Sequence, residues 1–171
     1  TPSVICCSRS DVPNLVNSSI AKACKGAYAA IEESNPDLIL VATGSEVGPC
    51  VQAAKILSEK QGIKSRVISM PCQEVYLEQD ASYQQDVLPG TVPTLSVEAA
   101  SQHGWHRFSH AQIAMASYGM SGSGKDVFAH FGFTPENIVK KGKALVEFYE
   151  KAGTVPDLNL RPVFEMPKSG H

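Results

Sequence analysis

A continuous apolar run, Leu38–Ala42, constrains the fold of this chain more than any other feature. An unbroken apolar segment of this length is typical of a strand that is buried on both faces of a parallel sheet. A Thr-Gly-Ser-Glu turn follows, and apolar residues then recur at helical spacing over 47–60. Gly62 stands where helices commonly end. A strand that leads directly into a helix predicts one βα unit of an α/β domain.

Further apolar segments alternate with helical patterns along the rest of the chain. The predicted strands cover 27–31, 38–42, 65–70, 94–98 and 113–118. The predicted helices cover 47–60, 104–112 and 127–131, with one or two short helices over 72–88. A last helix is predicted to begin with Thr134 as its cap and Pro135 in its first turn. The alternation predicts a layered α/β domain with a mainly parallel sheet and right-handed crossovers.

Length and composition exclude several classes of function. The chain has 171 residues and a net charge of -2, so nothing indicates the basic face that nucleic-acid binding requires. No apolar run approaches the roughly 20 residues that span a membrane. The five cysteines are odd in number and form no Cys-x-x-Cys pair, which indicates reduced thiols in an intracellular protein and no zinc site.

Two motifs suggest chemistry but have simpler interpretations. Residues 119–126 almost form a P-loop, but Asp126 replaces the hydroxyl that would bind magnesium, so a flexible surface loop is the favoured interpretation. His103, His106 and His110 would share one face of the predicted helix and could bind a metal. The stronger alternative is that they are half-exposed histidines of an amphipathic helix, and we expect no metal site.

Gly44 and Ser45 form a candidate anion-binding loop. They join a buried strand to a helix, where free N–H groups attract anions, and Ser45 is a plausible N-cap. A structural turn with a cap is the more common use of such a pair.

Arg9 is the candidate substrate-binding residue. It follows a short apolar segment over 3–7, at the carboxyl end of a predicted strand, where ligands of α/β sheets bind. A guanidinium fork there suits a phosphate, although a surface ion pair is the alternative that the residues alone leave open.

The chain is expected to divide into three parts. Residues 1–19 are interpreted as the last strand of a preceding domain with its linker, 20–155 as the α/β domain, and 156–171 as an irregular tail. Because the chain opens without Met and directly into a strand-like run, we expect it to be cut from a larger protein.

Several motifs resemble transketolases in order and spacing. Residues 37–47 resemble the segment that opens the third domain of these enzymes. Residues 1–9, 18–20 and 25–26 resemble the join between the middle and last domains, and 131–134 resembles the start of the closing helix. The similarity extends from residue 1 to about residue 151.

The resemblance implies a fold and a function. The last domain of the family has a mixed five-stranded sheet with helices on both faces, and 27–31 would be its antiparallel first strand. The full enzyme would be a homodimer that moves a two-carbon ketol unit between sugar phosphates in the pentose phosphate pathway. Its expected location is cytoplasmic for a separate reason, since no targeting tripeptide is recognised at His171. It would use thiamine diphosphate and a divalent metal, magnesium or calcium.

The resemblance assigns little of this machinery to the chain itself. The family's Gly-Asp-Gly motif is absent, and we expect no catalytic residue, no metal site and no cofactor bound by the fragment, whose role would be structural and dimer-supporting. Arg9 corresponds to the family's arginine that contacts the substrate phosphate, although Ser10 replaces the usual Gln. The alternative is a stand-alone module, or one of the kind that supports assembly in 2-oxoacid dehydrogenases.

Overall fold

The computed structural model describes residues 4, 7–8 and 11–161. The helices are α1 Ile20–Ala23, α2 Val47–Gln61, α3 Gln73–Leu77, α4 Ala81–Val87, α5 Gly124–Phe131 and α6 Pro135–Ala152. The strands are β1 Tyr28–Ile31, β2 Leu38–Ala42, β3 Ser65–Ser69, β4 Thr94–Ser101 and β5 Ala111–Met115, and short 3₁₀ turns cover Gly44–Glu46 and Trp105–Arg107.

The five strands form one sheet in the order β1-β3-β2-β4-β5. β2, β3, β4 and β5 are mutually parallel, and β1 pairs antiparallel with β3. The predicted mixed sheet with an antiparallel first strand is therefore confirmed. From β2 the chain continues to β3 on one side, whereas β4 pairs with β2 on the other side. The strand order therefore reverses between β2 and β4, and ligands of such sheets usually bind at the carboxyl ends of the strands at this reversal.

Two apolar clusters make the domain three layers thick. On one face of the sheet, side chains of α2 and α6 pack against Leu38, Leu40 and Val67. On the other face, Tyr76 of α3 and Val87 of α4 pack against a second set of sheet residues. β2 is buried along its whole length, as its unbroken apolar sequence predicts.

The ends of the two long helices follow the predicted signals. The Thr134 side chain accepts a hydrogen bond from the backbone N–H of Asn137, and Pro135 occupies the first turn of α6. Gly62 ends α2 in the left-handed conformation, with φ 68°. No helix within the described ranges combines the length and apolar character needed to cross a membrane.

The helix predicted over 104–112 is wrong. Only Trp105–Arg107 forms a 3₁₀ turn, and the chain then enters β5 at Ala111, two residues earlier than predicted. Trp105 and Phe108 are buried in the second apolar cluster, and the His110 N–H already donates to the Thr94 carbonyl. Pairing with β4 and burial of two aromatic side chains outweigh the local helical spacing, since propensity is a weak prior.

Residues on either side of the domain pack against it without regular structure. In the predicted linker, the Asn17 amide donates to the Ala30 carbonyl, and the hydroxyls of Ser18 and Tyr28 lie 3.0 Å apart. After α6, residues 154–161 form no helix or strand. The predicted three-part division of the chain, including the strand over 3–7 that falls mostly outside the described residues, stays a prediction.

Candidate functional site at the carboxyl edge of the sheet

The predicted phosphate contact, Arg9, lies outside the described residues, so its role stays a prediction. Its neighbour Ser8 is described. The Ser8 hydroxyl oxygen lies 3.0 Å from the position that a Cβ atom on Gly44 would occupy. The segment that precedes the domain therefore reaches the loop after β2, at the carboxyl edge of the sheet.

Gly44 and Ser45 form a 3₁₀ turn, not a simple helix cap. Thr43 is the residue before this turn, and α2 begins after Glu46, which makes no side-chain cap bond. Ser45 instead donates its hydroxyl hydrogen to the carboxylate of Glu46, with an oxygen–oxygen distance of 2.9 Å. The predicted N-cap role of Ser45 is therefore wrong, because the extra 3₁₀ turn separates Ser45 from the first turn of α2.

Two glutamates lie together at this edge. Glu46 follows β2 and is only 5% exposed. Glu98 lies in β4, and its Oε2 atom is buried without a hydrogen-bond partner among the described residues. Burial, and secondarily the negative charge of Glu46, raise the pKa of Glu98 to about 7. Glu98 therefore changes its charge close to neutral pH, as desolvated carboxyl groups beside a like charge do.

This pair sets the electrostatics of the loop. A carboxylate at Glu46 and a partly ionised Glu98 attract a proton or a cation and oppose an anion. The ligand or anion loop at Gly44 and Ser45 stays a prediction, and it would have to overcome that repulsion.

Cys50, a thiol close enough to Glu46 for the charges to interact, is not a candidate nucleophile. Cys50 is fully buried in α2. Burial, with a smaller contribution from the charge of Glu46, raises the pKa of Cys50 above its ordinary value. Because the thiolate is the reactive form, Cys50 is an inert core residue.

The histidines do not share a helix face. His110 accepts a hydrogen bond from the Thr94 N–H at Nδ1, and its Nε2 therefore donates to the Pro156 carbonyl, 2.8 Å away. His103 and His106 lie before and within the 3₁₀ turn that ends at Arg107. Within the described ranges, no group of three or more His, Cys, Asp or Glu side chains is arranged to hold a metal ion.

The P-loop-like segment is explained by helix capping. Ser123 is the N-cap of α5, and its hydroxyl oxygen accepts a hydrogen bond from the backbone N–H of Asp126. The Ser123 hydroxyl also lies 2.6 Å from the Asp126 carboxylate. Asp126 thus stabilises the start of a helix, as acidic residues in the first turn do.

The sequence did contain a signal for the glutamate pair. Glu46 and Glu98 each follow closely on an apolar strand segment, and the carboxyl ends of parallel strands meet at one edge. The residues around each glutamate do not mark the other as its partner. Their proximity depends on β2 lying beside β4, which the local patterns do not specify.

Comparison with known proteins gives consistent similarities. Residues 26–134 match the family described as the transketolase-like TK C-terminal domain. The chain is 42% identical over 159 residues to a transketolase from Kluyveromyces lactis, an alignment that covers 93% of this chain and 23% of that protein. It is 43% identical over 150 residues to transketolase 1 from Saccharomyces cerevisiae, which covers 88% of this chain and 22% of the relative.

A solved structure has the same fold. The transketolase from Pichia stipitis in complex with sedoheptulose 7-phosphate superposes with a TM-score of 0.84 at 42% identity, covering 91% of this chain and 23% of that one. The chain thus spans less than a quarter of the length of these three relatives.

Proposed function

The chain belongs to the transketolase family, and we propose that it is the C-terminal domain of an enzyme that moves a two-carbon ketol unit between sugar phosphates. The observation that carries the proposal is the match of the domain, residues 26–134, to the C-terminal domain of this family. A related structure at 42% identity contains a sugar phosphate, which supports that substrate class. The full enzyme would be a cytoplasmic homodimer in the pentose phosphate pathway.

The described residues do not fit the cofactor of such an enzyme. Thiamine diphosphate carries a diphosphate and requires a divalent metal, magnesium or calcium, whereas the carboxyl edge of this sheet carries Glu46 and Glu98. Buried carboxylates without an accompanying metal site repel a diphosphate, and the Gly-Asp-Gly motif is absent from the sequence. The cofactor and the catalytic groups would therefore come from the remaining domains of the enzyme.

The domain would act mainly as a scaffold that supports the dimer. Its sheet and long helices present the Gly44 loop to the segment that contains Ser8. Arg9, the next residue, would bind the phosphate of the substrate, because a guanidinium can donate two parallel hydrogen bonds to phosphate oxygens. The alternative of a stand-alone or dehydrogenase-type assembly module is favoured by none of the described similarities.

The role of Arg9 is tested in the full-length enzyme. Arg9→Gln should raise KM for a ketose phosphate at least about tenfold, because hydrogen bonds to charged groups are worth roughly 1.5–3 kcal/mol. KM for an unphosphorylated ketose should stay the same, since that substrate lacks the group that Arg9 binds. Lys60→Gln, a change near the end of α2, is the control. Equal effects on both substrates would refute a phosphate contact.

The scaffold role is tested with the isolated chain. We expect no ketol transfer and no thiamine diphosphate binding by isothermal titration calorimetry. Micromolar binding of the cofactor to these 171 residues would contradict the proposal.

A further inference from the structure

A cavity of about 290 Å³ lies between the helices α3 and α4 and the segment that follows α6. Neither glutamate of the carboxyl edge lines this cavity. Its apolar lining includes Leu77, Leu88, Phe108 and Leu158, and its polar lining includes Arg107 and Arg161. Both charged residues of the lining are arginines.

The wall formed by residues 158–161 is held in place by specific hydrogen bonds. The Leu158 N–H donates to the Gly90 carbonyl over 3.1 Å. The Asn159 amide donates to the Gln85 side chain over 2.8 Å and to the Leu88 carbonyl over 3.3 Å. A Cβ atom on Gly90 would lie 2.9 Å from the Asn159 nitrogen, so only glycine permits this approach. The cavity therefore has a defined shape.

The positive charges at the cavity are not neutralised within the described part of the chain. Arg161 donates from Nη2 to the main-chain carbonyls of His106 and Arg107, each 3.2 Å away, and both acceptors are uncharged. The ion pairs that occur between described residues involve lysines of α2 and α6 and leave both arginines out. Arg107 donates no side-chain hydrogen bond to another described residue. Its guanidinium thus has its full set of donors for a ligand.

A second cavity differs from the first in the sign of the charges that line it. This cavity, of about 350 Å³, contains Lys22, Lys25 and Arg66, but Glu32 and Asp86 line it as well. An anion would meet two carboxylates there. No Asp or Glu is part of the arginine-lined cavity's lining, and the carboxylate of Asp157, next to that lining in sequence, accepts a hydrogen bond from the Asn159 N–H. The two cavities therefore differ in the ligand that they favour.

We propose that the cavity between α3, α4 and residues 158–161 binds a small organic anion, in which a carboxylate or phosphate group is joined to an apolar ring or short chain. Arg107 and Arg161 bind the charged group, since a guanidinium matches two anionic oxygens. The leucines and Phe108 cover the apolar part. A mainly apolar lining with a few placed polar groups is the usual composition of a small-molecule site, and about 290 Å³ lies just below the usual range of roughly 300–1,000 Å³.

The proposal is tested by titration calorimetry with the full-length protein and four probes. Phenyl phosphate and benzoate carry both features, inorganic phosphate has only the charge, and benzyl alcohol has only the ring. We expect the first two to bind at least about tenfold more tightly than the last two. Comparison of phenyl phosphate with benzoate shows which anionic group is preferred. Inorganic phosphate that binds as tightly as phenyl phosphate would overturn the proposal, as would the absence of binding by any probe at millimolar concentration.

Variants assign the binding to this cavity. Arg107→Gln should weaken phenyl phosphate binding at least about tenfold, the usual loss for a hydrogen bond to a charged group. Ala81→Leu, at the start of α4, should block the cavity without changing any charge, and it keeps the test open if Arg107→Gln fails to fold. Lys60→Gln on α2 is the matched control and should bind as wild type does. Binding that persists in both cavity variants belongs elsewhere and refutes the assignment.

Discussion

Glu98→Gln should remove a pH dependence from the stability of the chain. Glu98 is half-buried, its Oε2 atom has no hydrogen-bond partner among the described residues, and its pKa rises from an ordinary value of 4.5 to about 7. Between these values the folded chain holds a proton that the unfolded chain has released. The free energy of unfolding therefore falls as pH rises from about 4.5 to about 7, and it is flat above that range.

The size of the effect follows from the shift in pKa. One pKa unit corresponds to about 1.4 kcal/mol, so the full shift would amount to about 3.4 kcal/mol. Because Glu98 is partly exposed, solvent screening reduces this value to roughly 1–2 kcal/mol. Relative to wild type, Glu98→Gln should thus gain about 1–2 kcal/mol between pH 4.5 and pH 8, as the neutral amide has no charge to desolvate.

The assay is urea unfolding of the chain at a series of pH values and constant ionic strength. Glu46→Gln should reduce the slope only in part, since the charge of Glu46 is the smaller of the two causes and burial of Glu98 remains. Glu150→Gln removes a negative charge from the exposed surface of α6 and controls for net charge. A constant difference between Glu98→Gln and wild type over the whole pH range would refute the reasoning.

Two further predictions concern residues that fix the loops of the domain. In urea unfolding, Gly26→Ala should destabilise the chain by at least about 2 kcal/mol more than Gly62→Ala. Both glycines have positive φ, but the space around Gly62 is open. An added Cβ at Gly26 would lie 2.5 Å from the Cys72 carbonyl and collide with the Tyr76 nitrogen. If both variants lost the same free energy of unfolding, the cost of the positive φ alone, roughly 1–2 kcal/mol, would explain both losses and the steric argument would be wrong. The pKa of His110 is lowered overall, because the effect of burial exceeds the opposite effects of the Pro156 carbonyl and Asp157. The unfolded chain therefore binds a proton at a higher pH than the folded chain does. In wild type the free energy of unfolding should fall as pH falls below about 6.5, and in His110→Asn this fall should be smaller. Nitrogen NMR at neutral pH should show the hydrogen on Nε2, and a hydrogen on Nδ1 would contradict the Thr94 contact.

The elements that depend on local signals could be predicted from the sequence. β2 is an unbroken apolar segment, α2 ends at Gly62, and α6 begins with a capping threonine and a proline. In each case the feature depends on the type of the residue itself and its immediate neighbours in sequence, so the pattern and the structure agree. The antiparallel β1 came from the resemblance to the family and not from the residues themselves.

The features that depend on distant pairing could not be predicted. The histidine spacing favours a helix over 104–112. In the structure, however, the His110 N–H donates a hydrogen bond to β4 and Trp105 is buried in the second apolar cluster. Glu46 and Glu98 are far apart in sequence and meet only because β2 lies beside β4. The arginine-lined cavity likewise needs the segment after α6 to fold back onto Gly90. Local patterns place each glutamate near the end of a strand, but they do not specify the strand order or the chain reversal on which these contacts depend.

The distribution of charge at the carboxyl edge bears on how a sugar phosphate would be bound. In open α/β sheets this edge is the usual ligand site, but here it carries Glu46 and the titrating Glu98. A phosphate at this edge would meet negative charge from β4 and from the turn after β2. A positive charge that binds the phosphate must therefore come from outside the sheet. The segment before the domain can supply one, because the Ser8 hydroxyl reaches the Gly44 loop and Arg9 is the next residue. The electrostatics of the domain thus favour a phosphate contact supplied by the segment before it, as we propose for Arg9.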